Sequence, residues 1–381
     1  MIKKWFVQVV LCLGCTVLLY GSEYTLKITN NTASAINNFP VVFKLSALDG
    51  AIPADSGKVQ IFDADGREVP SQLDDLDLNG CADKTDEAAM LAKLKPGENI
   101  FKIKLLPGKF PPPQSAGKRS FYLTAENGII RVEQSKSKLQ QRIISRFNNG
   151  KYERIAGHFV QELNMDKSWK WFVRPEVSAV LVSSGTVRQI VRFNSVVENR
   201  DSGKQAKLIN DMHIFNGRSE VLCRFLLTNI SNGQLLQVFR INQGFYETGI
   251  NGKVIPAEDR FSGIGSKGET LSGTLVSGSF TYRNRSSKAP VRMNFFRPDA
   301  GGIGLVADDP AHFDSCCTVY LPQRKTVRFS WLHCPANLVL WPGRSLDLQV
   351  YLVLHGGKAD AAEEFAKMVK NVSLEFLPGA K

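Results

Sequence analysis

The chain has 381 residues, 43% hydrophobic and 22% charged, which excludes a disordered or collagen-like polymer and allows two globular domains or one large unit with an appendage. Its 48 Lys and Arg outnumber 36 Asp and Glu, a net charge of +12 that either attracts an acidic partner or serves solubility. Seven cysteines are too few for a disulfide scaffold of this length, so burial must supply the core.

Residues 1–22 read as a secretory signal peptide. Lys3 and Lys4 precede an apolar run from Trp5 to Tyr20, and small Gly21 and Ser22 follow. The run is short for a membrane span, and no later segment is long and apolar enough to cross a bilayer. Cys15 follows Gly14 as in a lipoprotein signal, but Cys12 stands where an apolar residue is usual, which disfavours lipidation. The expected setting is therefore periplasmic or extracellular. Loss of the leader removes two lysines and no acids, leaving a net charge of about +10. An exported protein seldom meets nucleic acid, so an acidic oligosaccharide or polysaccharide is the favoured partner. The sequence carries no signal of oligomeric state.

Strand signals then dominate. EYTLKITNN, FPVVFKL, KVQIFDADG, NIFKIKLLPG and RSFYLTAENG are short alternating or apolar runs bounded by Asn, Gly, Pro and Asp. They predict an N-terminal β-sandwich over residues 23–125. The pattern continues through VSAVLVSSGTVRQIVRFNSVV, VLCRFLLTN and LLQVFRINQGFYETG to LQVYLVLHGG, which predicts a large antiparallel supersandwich over residues 126–357. Residues 358–381 read as a C-terminal helix and tail, with Phe365, Met368 and Val369 at helical spacing behind Asp360. The expected class is all-β with one short C-terminal helix. Cys223 alternates with apolar neighbours and reads as a buried thiol, whereas Cys334 could pair with Cys316 or Cys317 if their strands are neighbours. HFDSCC, residues 312–317, lacks zinc-ligand spacing.

One loop has metal-binding character. In LDDLDLNGCADKTD, Asp75, Asp77, Asn79, Asp83 and Asp86 fall at the first, third, fifth, ninth and twelfth positions of a calcium loop, and Gly80 supplies the sharp turn. Asp86 is shorter than the usual closing Glu, which weakens the site. No flanking helices are predicted, so a bound calcium would be structural. The other reading is a solvated acidic turn, for which Asp and Asn are equally suited.

Period-two alternation nominates further residues. Phe239, Ile241 and Phe245 share one face of a strand, and Arg240, Asn242 and Tyr246 share the other. Likewise Met212 and Ile214 point inward while Asp211 and His213 point outward. If these faces meet in one hollow, they hold what β-elimination from a uronate needs. Arg240 would neutralise the carboxylate, His213 would remove the adjacent proton, and Tyr246 would protonate the departing oxygen. Asp211 would orient the imidazole. The alternative is that these are polar residues of an outer face. Trp169 and Trp171 of SWKWFVRP share a face suited to stacking on sugar rings or to core packing, and Lys170 and Arg174 lie opposite. The two indoles, Arg174 and Asn242 are the candidate substrate-binding residues. No pair of carboxylates can be nominated for glycoside hydrolysis.

Residues 59–105, VQIFDADGREVPSQLDDLDLNGCADKTDEAAMLAKLKPGENIFKIKL, resemble the N-terminal region of a family of secreted proteins from polysaccharide-utilisation loci. SSGTVRQIVRF (183–193) and PGRSLDLQVYLVLHGG (342–357) look like pieces of that family's second domain. The resemblance implies a β-sandwich followed by a galactose-mutarotase-like supersandwich. It also implies kinship with lyases or dehydratases of uronate-containing oligosaccharides. Two functions follow as expectations: elimination from acidic oligosaccharides, or carbohydrate binding and surface assembly without catalysis.

Overall fold

The computed structural model describes residues 23–115, 122–135, 140–165, 171–173, 178–199, 201–264, 269–275, 280–283, 291–307, 313–333 and 338–377. The leader, Trp169, Arg174 and Cys334 lie outside the described residues, as do the side chains of Trp171, Cys316 and Cys317.

The first part of the chain forms β1 (Glu23–Asn30), β2 (Ile36–Lys44), β3 (Ser56–Phe62), β4 (Glu68–Val69), β5 (Ser71–Asp74), β6 (Glu87–Leu94) and β7 (Gly97–Pro107). Next come β8 (Gln114–Ser115), β9 (Tyr122–Glu126), β10 (Ile130–Ser135), β11 (Gln140–Phe147), β12 (Tyr152–Met165), β13 (Trp171–Val173) and β14 (Ser178–Ser184). The long central strands are β15 (Arg188–Asn199), β16 (Gln205–Phe215), β17 (Glu220–Asn229) and β18 (Leu236–Ile250). Then follow β19 (Arg260–Ile264), β20 (Thr270–Thr274), β21 (Phe280–Arg283), β22 (Val291–Arg297), β23 (Gly301–Ala307) and β24 (Phe313–Leu321). The chain ends with β25 (Thr326–His333), β26 (Leu338–Leu340), β27 (Ser345–His355), helix α1 (Ala361–Lys370) and β28 (Val372–Leu377). The protein is nearly all β with one short C-terminal helix, as its patterning predicts.

Two sandwiches result. In the first, the five-stranded sheet β28-β1-β7-β3-β4 faces the three-stranded sheet β2-β6-β5. Alternation in β1 sends Tyr24, Leu26 and Ile28 into the shared core, where they meet Val41, Met90 and Ile103. In the second, an eleven-stranded antiparallel sheet, β20-β19-β22-β23-β27-β17-β16-β15-β14-β8 with β13 beside β15, faces a nine-stranded one. The latter runs β21-β24-β25-β18-β12-β11-β10-β9, with β26 beside β18. Met212, Ile214, Cys223 and Leu352 of the larger sheet share a core with Ile143, Ala156 and Val327 of the smaller. Burial holds the Cys223 thiol protonated by pushing its pKa far up. Helix α1 lays Ala362 and Phe365 on Val306 and Val353, outside the larger sheet.

Two expected boundaries shift. β8 pairs with β14 and β9 with β10, so RSFYLTAENG belongs to the second sandwich rather than to a first domain ending at residue 125. After α1 the chain returns, and β28 pairs with β1, so the expected tail is an edge strand of the first sandwich. Alternation identifies a strand and its inward face but not its partner.

The sandwiches are docked face to face. Leu73, Ala88 and Met90 fill the first core, while Gln72, Asp74 and Glu87, of opposite parity, project toward the eleven-stranded sheet. The Gln72 amide nitrogen shares its two hydrogens among Asp74 Oδ1 (2.7 Å), Ser183 Oγ (2.9 Å) and Arg188 O (3.0 Å), and its oxygen accepts from Val187 N and Arg188 N. Gly185 makes this approach feasible: a Cβ there would lie 2.2 Å from Gln72 Oε1.

Candidate functional site

The outer face of the eleven-stranded sheet carries charges in register. On β15, Arg188 and Arg192 stand four residues apart and therefore share a face. Arg192 lies opposite Asp211 of β16, and Asp211 opposite Arg224 of β17, so cation, anion and cation alternate across three strands. Arg192 grips Asp211 through two bonds, Nε to Oδ1 at 2.8 Å and Nη2 to Oδ2 at 2.7 Å. Arg224 reaches Asp347 of β27 (Nε to Oδ1, 2.9 Å) and Glu87 of the first sandwich (Nη1 to Oε1, 3.1 Å). Burial works against each guanidinium, but the neighbouring carboxylates prevail and raise the pKa of both.

Beside this row the acidic loop folds over the sheet. Leu76 packs on Val182 and Ile190, and its carbonyl accepts from Arg192 Nη1. Between loop and sheet lies a cleft of about 580 Å³ whose floor is Arg192, Asp211, Arg224 and Asp347. Lys44, Lys84 and Lys207 stand around its rim, all exposed and without an ion pair among the described residues. Leu76, Leu78, Ile209 and Leu226 supply its apolar surface. Five cations thus face three carboxylates, and two of those carboxylates already belong to Arg192 and Arg224.

Carboxylate oxygens of Asp75, Asp77 and Asp86 in the loop lie within 4.8 Å of one another, a spacing that ligands 2.3–2.6 Å from a calcium ion can adopt. Leu78 and Gly80 take positive φ (63° and 81°), which turns the chain back on itself. Burial pushes Asp86 up to about 7, although Leu76 N and Asp83 N both donate to it. Asn79 and Asp83 adjoin this cluster: Asn79 Nδ2 donates to Asp83 Oδ2 and to Asp77 Oδ2, each at 2.9 Å. Three of the four expected carboxylates are thus brought together, with Asn79 hydrogen-bonded beside them.

His213 is 1% exposed. Met212 and Ile214 enter the core between the sheets, so the imidazole projects from the opposite face, as alternation predicts. That face looks onto the first sandwich rather than onto solvent. Arg188 Nη1 lies 3.0 Å from His213 Nδ1. Burial and then the charges of Arg188, Arg224 and Arg192 hold the ring neutral, well below its ordinary pKa.

Tyr246 stands elsewhere. Glu247 of β18 turns in between the sheets to meet Arg154, so Tyr246, of opposite parity, leaves the nine-stranded sheet on its far side. There the Arg324 guanidinium lies 5.4 Å from its ring centroid. His213 and Tyr246 therefore point away from each other through opposite faces of the second sandwich. The expected gathering of His213, Tyr246 and Arg240 in one hollow is not formed, because parity assigns a face within a sheet and not which sheet. Arg240 and Asn242 lie on β18 with side chains outside the described residues, and Trp171 opens β13 opposite Asn199 of β15. Sequence reasoning missed Arg188, Arg192, Arg224 and Asp347. The spacing of the two arginines in RQIVR was visible; the carboxylates that meet them come from distant strands.

A family model described as a domain of unknown function (DUF4861) matches residues 28–157, about a third of the chain. No curated protein sequence matches. Among solved structures, an α-mannosidase from Enterococcus faecalis V583 aligns with a TM-score of 0.50 and 10% identity, over 94% of this chain and 46% of that one. A glycosyl hydrolase family 38 protein from Enterococcus faecalis aligns with a TM-score of 0.48 and 10% identity, over 94% and 48%. A galactose mutarotase-like protein from Lactobacillus casei ATCC 334 aligns with a TM-score of 0.40 and 12% identity, over 61% of this chain and all of that one. The chain spans about half the length of the two Enterococcus proteins, and at this identity the α-mannosidase likeness establishes a shared fold alone.

Proposed function

We propose that the protein binds an acidic, uronate-containing oligosaccharide in the cleft between the acidic loop and the eleven-stranded sheet. The observation that carries this is the trio Lys44, Lys84 and Lys207 around a floor whose own carboxylates are already paired. Ammonium groups at the rim meet carboxylates of a glycan, and Leu76, Leu78, Ile209 and Leu226 meet its apolar ring faces. The α-mannosidase that shares the fold makes a carbohydrate ligand the natural class, and the exported setting predicted by the leader agrees with it. Binding without chemistry is favoured over elimination, since His213 and Tyr246 do not share the cleft.

Calorimetric titration with an oligogalacturonate and a neutral oligosaccharide of equal length tests the reading. The acidic ligand is expected to bind and its affinity to fall with salt. Each of Lys44→Ala, Lys84→Ala and Lys207→Ala should weaken binding about two- to fivefold, the worth of a screened surface pair. Equal affinity for both ligands, or none for either, rejects the proposal. Growth of ultraviolet absorbance from unsaturated product would instead restore elimination.

In the same reading the acidic loop holds a structural calcium ion through Asp75, Asp77 and Asp86, bracing one wall of the cleft. Calcium at a hundredfold excess over Kd is expected to stabilise the chelator-treated protein by about 2.7 kcal/mol, seen as a rise of several degrees in Tm. Asp75→Asn should abolish the rise. A Tm indifferent to calcium in the unmodified protein counts against the site.

A further inference from the structure

A side pocket of about 210 Å³ opens beside the cleft, lined in part by Lys44, Glu87, His213, Leu222, Arg224 and Gln349. Lys44 and Arg224 also line the cleft, so the two spaces adjoin. We propose that this pocket is a subsite that reads the carboxylate of one acidic sugar unit, with His213 Nε2–H and the Lys44 ammonium as its donors. The inference rests on the glycan-binding reading of the cleft and deepens it.

The proton position follows from the partners. A guanidinium only donates, so His213 Nδ1, 3.0 Å from Arg188 Nη1, must accept, and the ring proton sits on Nε2. That Nε2 is buried and has no hydrogen-bond partner among the described residues. Arg188, which covers the Nδ1 edge, is not part of the pocket wall, so the ring meets the pocket away from that nitrogen. Buried donors are nearly always answered, and a ligand oxygen in the pocket answers this one. Glu87 does not repel an incoming anion strongly, because Arg224 takes its Oε1 (3.1 Å) and Arg188 its Oε2 (2.9 Å). Lys44 has no ion pair among the described residues and sits at the junction of pocket and cleft. At about 210 Å³ the space admits a carboxylate and the ring atoms that carry it.

The test compares oligogalacturonate with its methyl-esterified counterpart on the full chain. His213→Leu is expected to lower affinity for the acid about tenfold, the worth of a hydrogen bond to a charged group, while the ester changes less than about twofold. His213→Gln, which can accept from Arg188 and still donate into the pocket, should restore most of the preference. A second readout avoids any folding defect of the variants. In the unsubstituted protein labelled with nitrogen-15, the His213 Nε2–H resonance should shift on saturation with the acid and not with the ester. Acid binding that leaves this resonance unmoved and is unchanged by His213→Leu overturns the subsite alone, leaving the pocket to solvent. Failure of the unsubstituted protein to bind the acid overturns the cleft and the subsite together.

Discussion

Replacing Arg188 by Met is expected to destabilise the full chain by about 3–5 kcal/mol, the cost of removing one partner from a buried ionic network. Arg188 is fully buried where the two sandwiches meet. Its Nε donates to Asp74 Oδ2 at 2.8 Å, its Nη2 lies 2.7 Å from the same oxygen and 2.9 Å from Glu87 Oε2, and its Nη1 faces His213. Met fills much of the volume, so packing is largely kept and the loss is electrostatic. Among the described residues, the Asp74 side chain would retain only the Gln72 amide, and that of Glu87 only Arg224. Adding Asp74→Asn to the variant removes the stranded charge and should recover part of the loss, a coupling that a double-mutant cycle in urea measures. A single-variant loss below about 1 kcal/mol would mean that the network does not hold the sandwiches together. The same guanidinium fixes the His213 tautomer, so this variant should also blunt the preference for acid over ester.

Strand content, inward faces and the helix were legible because they depend on spacing within a few residues. The alternation of Tyr24, Leu26 and Ile28 and the 3–4 spacing of Phe365, Met368 and Val369 needed no knowledge of partners. The acidic loop was legible for the same reason, since its carboxylates gather within twelve residues. The site was less so. His213 does leave the core side of its strand, yet whether that face meets solvent or another domain depends on Asp74 and Glu87, more than a hundred residues earlier. Tyr246 has the parity expected of it and belongs to the other sheet. The return of β28 to β1 likewise joins residues from opposite ends of the chain. In each case the missing information is pairing over long sequence separation, which no local pattern encodes.

Arg154 and Glu247 form a second buried ion pair, and removing its two members should give losses that differ in their dependence on pH. Arg154 Nε lies 3.0 Å from Glu247 Oε1, its Nη1 donates to Phe295 O at 3.0 Å, and both side chains are at most 1% exposed. Burial pushes Glu247 up to about 7 in spite of the guanidinium. The native carboxyl therefore holds its proton more tightly than the unfolded one. Its contribution to stability is full below the unfolded value of 4.5 and is lost as pH rises through about 7. In Arg154→Met the carboxyl stands alone and holds its proton still more tightly, so the variant's loss should be larger at pH 8 than at pH 5 by up to about 1.4 kcal/mol, what one pH unit past about 7 is worth for a single carboxyl. In Glu247→Gln the stranded guanidinium cannot shed its charge in this range, but the variant also escapes the decline that Glu247 imposes on the native chain, so its loss should be smaller at pH 8 than at pH 5 by about 2.5 kcal/mol. Asp86, also pushed up by burial, is present in both variants and cancels in their difference. Urea midpoints at the two pH values settle the matter: parallel losses would show that Glu247 does not titrate within the fold, whereas a gap that opens with rising pH identifies it as a carboxyl kept near neutrality by the core around it.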